Sequence, residues 1–122
     1  MKKFEVEYYE KGNGSFPVEE FISSQPKETK AKIFRMLETL EMHGNNLREP
    51  YSKLLNDGIF ELRIRQKSAN VRILYFFIIE RKIILTNAFL KKTQKTPKME
   101  ILKAKEYRLD YIKRGDNNGQ KF

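Results

Sequence analysis

The chain has no cysteine, one histidine and no apolar run reaching the roughly 20 residues that a membrane helix needs. Without cysteine there is no disulfide framework and no thiolate metal site, and the lack suits a reducing compartment. A single histidine excludes imidazole pairs, and His43 falls at the predicted end of a helix, where a cation is favourable; it is read as a structural or surface residue. Gly12-Asn13-Gly14 is not followed by the rest of a phosphate-binding pattern. The basic half has no paired carboxylates at metal-binding spacing, so neither a metal nor another cofactor is expected. The start, Met-Lys-Lys-Phe-Glu-Val-Glu, turns acidic at once and has no apolar signal-peptide core, so a cytoplasmic chain without membrane contact is expected.

Negative charge is the scarcest commodity in one region. Between Arg63 and Lys98 ten residues are basic, and Glu80 alone is acidic. Residues 1–62 carry nine Lys/Arg against eleven Asp/Glu, whereas residues 63–122 carry sixteen against five, so the net charge of +9 sits in the second half. Like charges repel in the compact state, so crowding them does nothing for folding. They are best explained as a surface that meets a polyanion, with nucleic acid the first candidate.

The length of 122 residues suits one domain over residues 1–115 with a polar tail over 116–122. Phe4, Val6 and Tyr8 alternate with Glu5, Glu7 and Tyr9, which predicts a strand with one buried face. Ser15 is placed to cap a short helix carrying Pro17 in its first turn. Pro26 opens a longer helix with an apolar stripe of Ile33, Met36, Leu37 and Leu40, ended by Gly44. Three strands follow, about Ile59 to Arg65, Val71 to Ile79 and Ile83 to Leu90. The short links between them imply an antiparallel meander. The apolar middle strand should be central and covered on both faces. Thr96 and Pro97 predict the start of a last helix running to about Lys113 and stopped by Gly115, with Ile101, Ala104, Leu109 and Ile112 facing inward. The outline β-α-α-β-β-β-α predicts an α+β domain, two helices and a C-terminal helix packed on a small, mostly antiparallel sheet.

The candidate site residues are the cations and their aromatic neighbours. Arg63 and Arg65 share one strand face with Glu61 by alternation. Arg72 interrupts an apolar strand, where a guanidinium is costly unless paired or solvated at a cleft. It can fork onto a phosphate, or it can pair with Glu61 across the hairpin. Phe89, next to the basic loop Lys91-Lys92-Thr93-Gln94-Lys95-Thr96-Pro97-Lys98, can stack on an unpaired base or pack under the last helix.

Three segments, Asp57-Gly58-Ile59-Phe60-Glu61-Leu62-Arg63, Val71-Arg72-Ile73-Leu74-Tyr75-Phe76 and Phe89-Leu90-Lys91-Lys92-Thr93-Gln94-Lys95-Thr96-Pro97, resemble the RelE/HigB toxins. The resemblance is closest to the phage-derived, HigB-like branch of type II toxin–antitoxin systems. It implies a RelE-like fold and an mRNA endonuclease acting in the ribosomal A site, neutralised by a cognate helix-turn-helix antitoxin. Arg72 stands where the superfamily has its catalytic arginine, and Arg63 matches a second arginine facing the same cleft. Lys91, Lys92 and Lys95 belong to the matching basic loop. Several HigB toxins use histidine as acid or base, but His43 lies outside the matched segments. Tyr107 and Tyr111 are both possible counterparts of a C-terminal RelE tyrosine.

A mechanism without metal follows from these residues. The ribose 2′-OH attacks phosphorus, Arg63 and Arg72 stabilise the phosphorane, and Lys92 or Lys95 moves protons, its pKa lowered by neighbouring cations. Tyr51 and Phe89 hold the base, and Arg65, Lys91 and Lys98 hold RNA phosphates. Two alternatives remain open: a ParE-like toxin that poisons gyrase, and a non-enzymatic nucleic-acid-binding module.

Overall fold

The computed structural model describes residues 3–79 and 81–117. Strand β1 (Glu5–Tyr8) precedes helices α1 (Pro17–Ser23) and α2 (Lys27–His43). Strands β2 (Ser52–Asn56), β3 (Ile59–Gln66), β4 (Ala69–Ile78) and β5 (Lys82–Leu90) follow, and helix α3 (Lys98–Asn117) comes last. The five strands form one sheet in the order β1-β5-β4-β3-β2, with β1 parallel to β5 and all other neighbours antiparallel. The architecture is the expected α+β arrangement and fits a RelE-like fold.

Local chemistry sets the meander. Asp57 and Gly58 both have positive φ (51° and 78°) and join β2 to β3 in a two-residue turn, whose twist matches that of antiparallel strands. A second tight turn, with Lys67 at φ 56°, joins β3 to β4. Between β4 and β5 the register slips by one residue: Leu74 pairs Asn87 but Tyr75 pairs Leu85, which leaves Thr86 as a bulge. The Thr86 hydroxyl donates to the Leu74 carbonyl at 3.1 Å, so the extra residue is not left unsatisfied.

The sheet is covered on both faces, as the apolar run of β4 predicts. On one face Val18, Ile22, Ile33, Met36, Leu37 and Leu40 of α1 and α2 pack on Leu62, Ile64, Val71, Ile73, Tyr75, Ile83 and Leu85. On the other, Ala104, Tyr107 and Tyr111 of α3 pack with Tyr9, Ile59, Leu74, Phe76 and Ile84. Gly44 ends α2 as expected, at φ 51°, and a Cβ there would overlap the Phe4 ring. Asn87 Nδ2 donates to the Glu100 carbonyl (3.1 Å) and carboxylate (2.9 Å), which sets the first turn of α3 over the Leu74–Asn87 pair. From there α3 runs toward Tyr9, whose hydroxyl donates to Asp110 at 2.6 Å. Among the described residues no helix covers the α3-side face of the sheet beyond the N-terminus of α3, and the cations gather there.

Several expectations are corrected. The structure adds β2, a short edge strand whose Ser52-Lys53-Leu54-Leu55-Asn56 sequence has no alternating pattern. Ser15 does not cap α1; Phe16 holds the cap position, and the Ser15 hydroxyl donates to Asn13 Oδ1. Thr96 does not cap α3, because its hydroxyl is turned to Glu61, and the helix begins at Lys98. Leu109 and Ile112 face solvent (55% and 44% exposed), because Tyr107 and Tyr111 take the inward positions with Ala104. The helix also continues through Gly115 to Asn117. Of the polar tail expected over 116–122, residues 118–122 lie outside the described residues.

Candidate nucleic-acid interface

Strand pairing lays the site out as a grid on the α3 face of the sheet. Glu61, Leu74 and Asn87 form one rung across β3, β4 and β5. Arg63, Arg72 and Phe89 form the next. Arg65 pairs Asn70, whose carbonyl accepts from Lys91 N at 2.8 Å, so a third rung extends to the basic loop. Arg63 N in turn donates to the Tyr51 carbonyl (2.8 Å), which brings Tyr51 to the free end of the second rung.

Arg63 and Arg72 stand directly opposite each other, an arrangement that is destabilising for like charges. The Glu61 carboxylate, 0% exposed, compensates them. Its Oε1 accepts from Arg63 Nε at 3.2 Å and lies 3.7 Å from Arg72 Nε, while Oε2 accepts from the Thr96 hydroxyl. Arg63 Nη1 also reaches Glu49 (3.4 Å), and Arg72 Nη1 donates to the Val71 carbonyl (3.2 Å). Among the described residues neither Nη2 atom holds a partner, so each guanidinium keeps donors for a ligand. Burial holds Arg72 below the usual guanidinium range; Glu61 opposes that shift, and Arg63 and Arg65 add to it. Arginine remains charged throughout the ordinary pH range.

Beside Arg72 lies an open cleft of about 480 Å³, lined by Asn70, Arg72, Lys91, Lys92, Thr93 and Gln94. Lys91 is partly buried there. Burial pulls its ammonium below the usual lysine range; Glu61 opposes the shift, while Arg72, Arg63 and Lys53 deepen it. Lys91 is therefore the loop lysine that senses the arginine pair. The cluster offers guanidinium donors for phosphate oxygens and one lysine whose ammonium is held below its usual range. Among the described residues no three His, Asp or Glu side chains gather to hold a metal.

A family model described as phage derived protein Gp49-like (DUF891) matches residues 20–108. The chain belongs to this family. Gp49-like proteins are toxin-like proteins of RelE/ParE type. The match runs from α1 into α3 and contains every candidate residue from Tyr51 to Lys98; β1 lies outside it. No curated protein matches the chain. Among the described residues no helix is long and apolar enough to cross a membrane.

The Gp49-like grid brings some expected residues together and leaves others apart. Arg63, Arg72 and Lys91 converge, and Arg65, exposed, flanks them. Lys92 lines the cleft from an exposed position. Lys95 and Lys98 are exposed further along the loop; the Thr93 hydroxyl bonds the Lys95 carbonyl (2.7 Å), which curls the chain back. Tyr51 presents a ring 52% exposed. Phe89 packs partly buried against the α3-side core while sharing a rung with Arg72, so packing accounts for much of its ring. Of the two ways to accommodate Arg72, the cross-hairpin contact with Glu61 is present and still leaves donors free. Tyr107 stacks on Tyr9 (4.6 Å between ring centres) and Tyr111 packs edge-on to Phe76 (6.0 Å), both toward the β1 end of α3 and away from the arginines. His43 is exposed at the end of α2, on the opposite face of the sheet. The sequence reading missed Asn70 and the role of Thr96, and it offered Glu61 as a partner of Arg72 but not of Arg63; the shared alternation of Glu61 with Arg63 was the available signal.

Proposed function

We propose that this Gp49-like chain is a HigB-like toxin that cuts mRNA in the ribosomal A site without a metal, and that a helix-turn-helix antitoxin restrains it in the cytoplasm. One observation carries the reading: Arg72 and Lys91 line one open cleft, and Arg63 stands directly opposite Arg72 on the neighbouring strand.

In the proposed reaction, neutral Lys91 Nζ takes the proton of the ribose 2′-OH as O2′ bonds to phosphorus. The P–O5′ bond breaks, and O5′ takes a proton from the ammonium of Lys92 or Lys95. The products are a 2′,3′-cyclic phosphate and a 5′-hydroxyl. Arg63 and Arg72 hold the charge that develops on the phosphorane oxygens. Lys91, first assigned to phosphate binding, is thus the better base, and Lys92 or Lys95 keeps the acid role. Tyr51 and the exposed edge of Phe89 stack on the base, and Arg65 and Lys98 contact neighbouring phosphates. The ribosome supplies substrate positioning.

Transcript-end mapping after induced expression tests the proposal, beside an Arg72→Ala control that still folds and binds antitoxin. New ends inside translated codons, absent in the control, are expected. Intact transcripts together with broken DNA would instead indicate a gyrase poison.

A further inference from the structure

We propose that Glu61 is a positioning residue: it clamps Arg63 and Arg72 through their Nε atoms so that the guanidinium ends face the cleft, and it anchors the lysine-rich loop through Thr96. The proposal rests on the nuclease reading and adds a residue to it. Glu61 is the only acidic group in the grid, and its position in the interior is unusual for a carboxylate. It cannot serve as the base. Its side chain is fully buried and both oxygens are engaged, Oε1 with the two arginines and Oε2 with the Thr96 hydroxyl.

The clamp depends on both its charge and its geometry. A bidentate grip on the guanidinium ends would occupy the forks that a phosphate needs. Glu61 instead approaches each arginine side-on at Nε, so the Nη2 atoms stay available. One carboxylate oxygen faces both arginines, hydrogen-bonded to Arg63 Nε and ion-paired at 3.7 Å with Arg72 Nε, which makes no hydrogen bond, so both guanidiniums are referenced to a single point. The second oxygen holds Thr96, five residues after Lys91, so the loop and the strands are referenced to the same side chain. The negative charge itself opposes substrate binding. Holding the arginines and repelling the phosphate therefore act in opposite directions on catalysis and affinity, and the two effects are separable.

Glu61→Gln keeps the shape and removes the charge; Glu61→Asp keeps the charge and shortens the reach; Thr96→Val cuts only the link to the loop. Binding is read with a 2′-O-methyl oligoribonucleotide, which lacks the nucleophile, and single-turnover cleavage with mRNA on purified ribosomes. For Glu61→Gln we expect binding about threefold tighter, from loss of one nearby negative charge, and cleavage about 100-fold slower, from misplaced arginines. Its rate should also rise at lower pH than in the wild type, because Glu61 holds the Lys91 proton on more tightly. Glu61→Asp should not restore the rate. Thr96→Val, which leaves both arginine contacts intact, should bind normally and cleave about tenfold more slowly. It keeps the test available if Glu61→Gln does not fold.

Cleavage by Glu61→Gln within threefold of wild type would overturn the proposal, as would full restoration by Glu61→Asp. Parallel losses of binding and cleavage, with an unmoved pH profile, would make Glu61 a fold residue and overturn it too. A wild type that leaves mRNA intact would overturn the nuclease reading; tighter binding by Glu61→Gln would then still support the clamp on the anion site.

Discussion

Arg63→Ala and Arg72→Ala should both abolish cleavage yet differ in what they do to the fold. Arg63 makes a true hydrogen bond to Glu61, at 3.2 Å, and its side chain is 24% exposed. A hydrogen bond to a charged acceptor contributes about 1.5–3 kcal/mol, and partial exposure argues for the lower end. The Arg72 contact, at 3.7 Å, is beyond hydrogen-bonding range and is expected to contribute about 0.5–1 kcal/mol. Either deletion also relieves the repulsion between the opposed guanidiniums. Arg72→Ala leaves the buried carboxylate held by Arg63 and Thr96. Arg63→Ala leaves it with one distant cation and one hydroxyl. The expected losses are about 2 kcal/mol for Arg63→Ala and under about 1 kcal/mol for Arg72→Ala, or roughly 8 °C and 4 °C in melting temperature. Urea unfolding with linear extrapolation measures the difference, and ribosome-bound mRNA cleavage should fall about 100- to 1000-fold in both. An Arg72→Ala protein less stable than Arg63→Ala would refute the assigned roles in the clamp. Retained cleavage in either would refute the chemistry.

Two further outcomes follow from other parts of the molecule. The Tyr9 hydroxyl holds the Asp110 carboxyl below its usual range, so this contribution is present above the ordinary aspartate pKa and is lost as pH falls through the lowered value. Burial and the bond to Asp110 push Tyr9 up to about 12, so its contribution is complete below about pH 10 and is lost as pH rises through about 12. Tyr9→Phe should therefore flatten both limbs of stability against pH in urea melts; unchanged limbs would show that the bond does not couple to folding. Separately, Lys92→Ala and Lys95→Ala should each lower the slope of log affinity against log salt by about 0.7 for single-stranded RNA, and an unchanged slope would remove that lysine from phosphate contact.

The alternation in Phe60 to Arg65 and the apolar run of β4 made the central meander legible, and the stripe from Ile33 to Leu40 did the same for α2. β2 was hidden because it lies at an edge and buries only Ser52 fully. The inward face of α3 was misjudged because leucine and isoleucine were ranked above tyrosine, yet Tyr9 offers Tyr107 a stacking partner that no pattern along α3 reveals. The arginines could be assigned to one face by counting in twos. Singling out Lys91 from Lys92 and Lys95 required knowing which residue of β4 each loop position meets, and burial beside Arg72 then separated them.

Thr86 gives the sheet a phase as well as a bend. Before it, even-numbered residues of β5 such as Ile84 face α3; after it, the odd-numbered Phe89 and Lys91 do. Deleting Thr86 would only make the ladder regular, with Leu85–Tyr75 and Asn87–Leu74 as successive pairs, whereas deleting Ala88 would exchange the two sides downstream, turning the lysine away from the cleft and sending Leu90 to it. A toxin could thus be disarmed by a single-codon deletion that touches no cation.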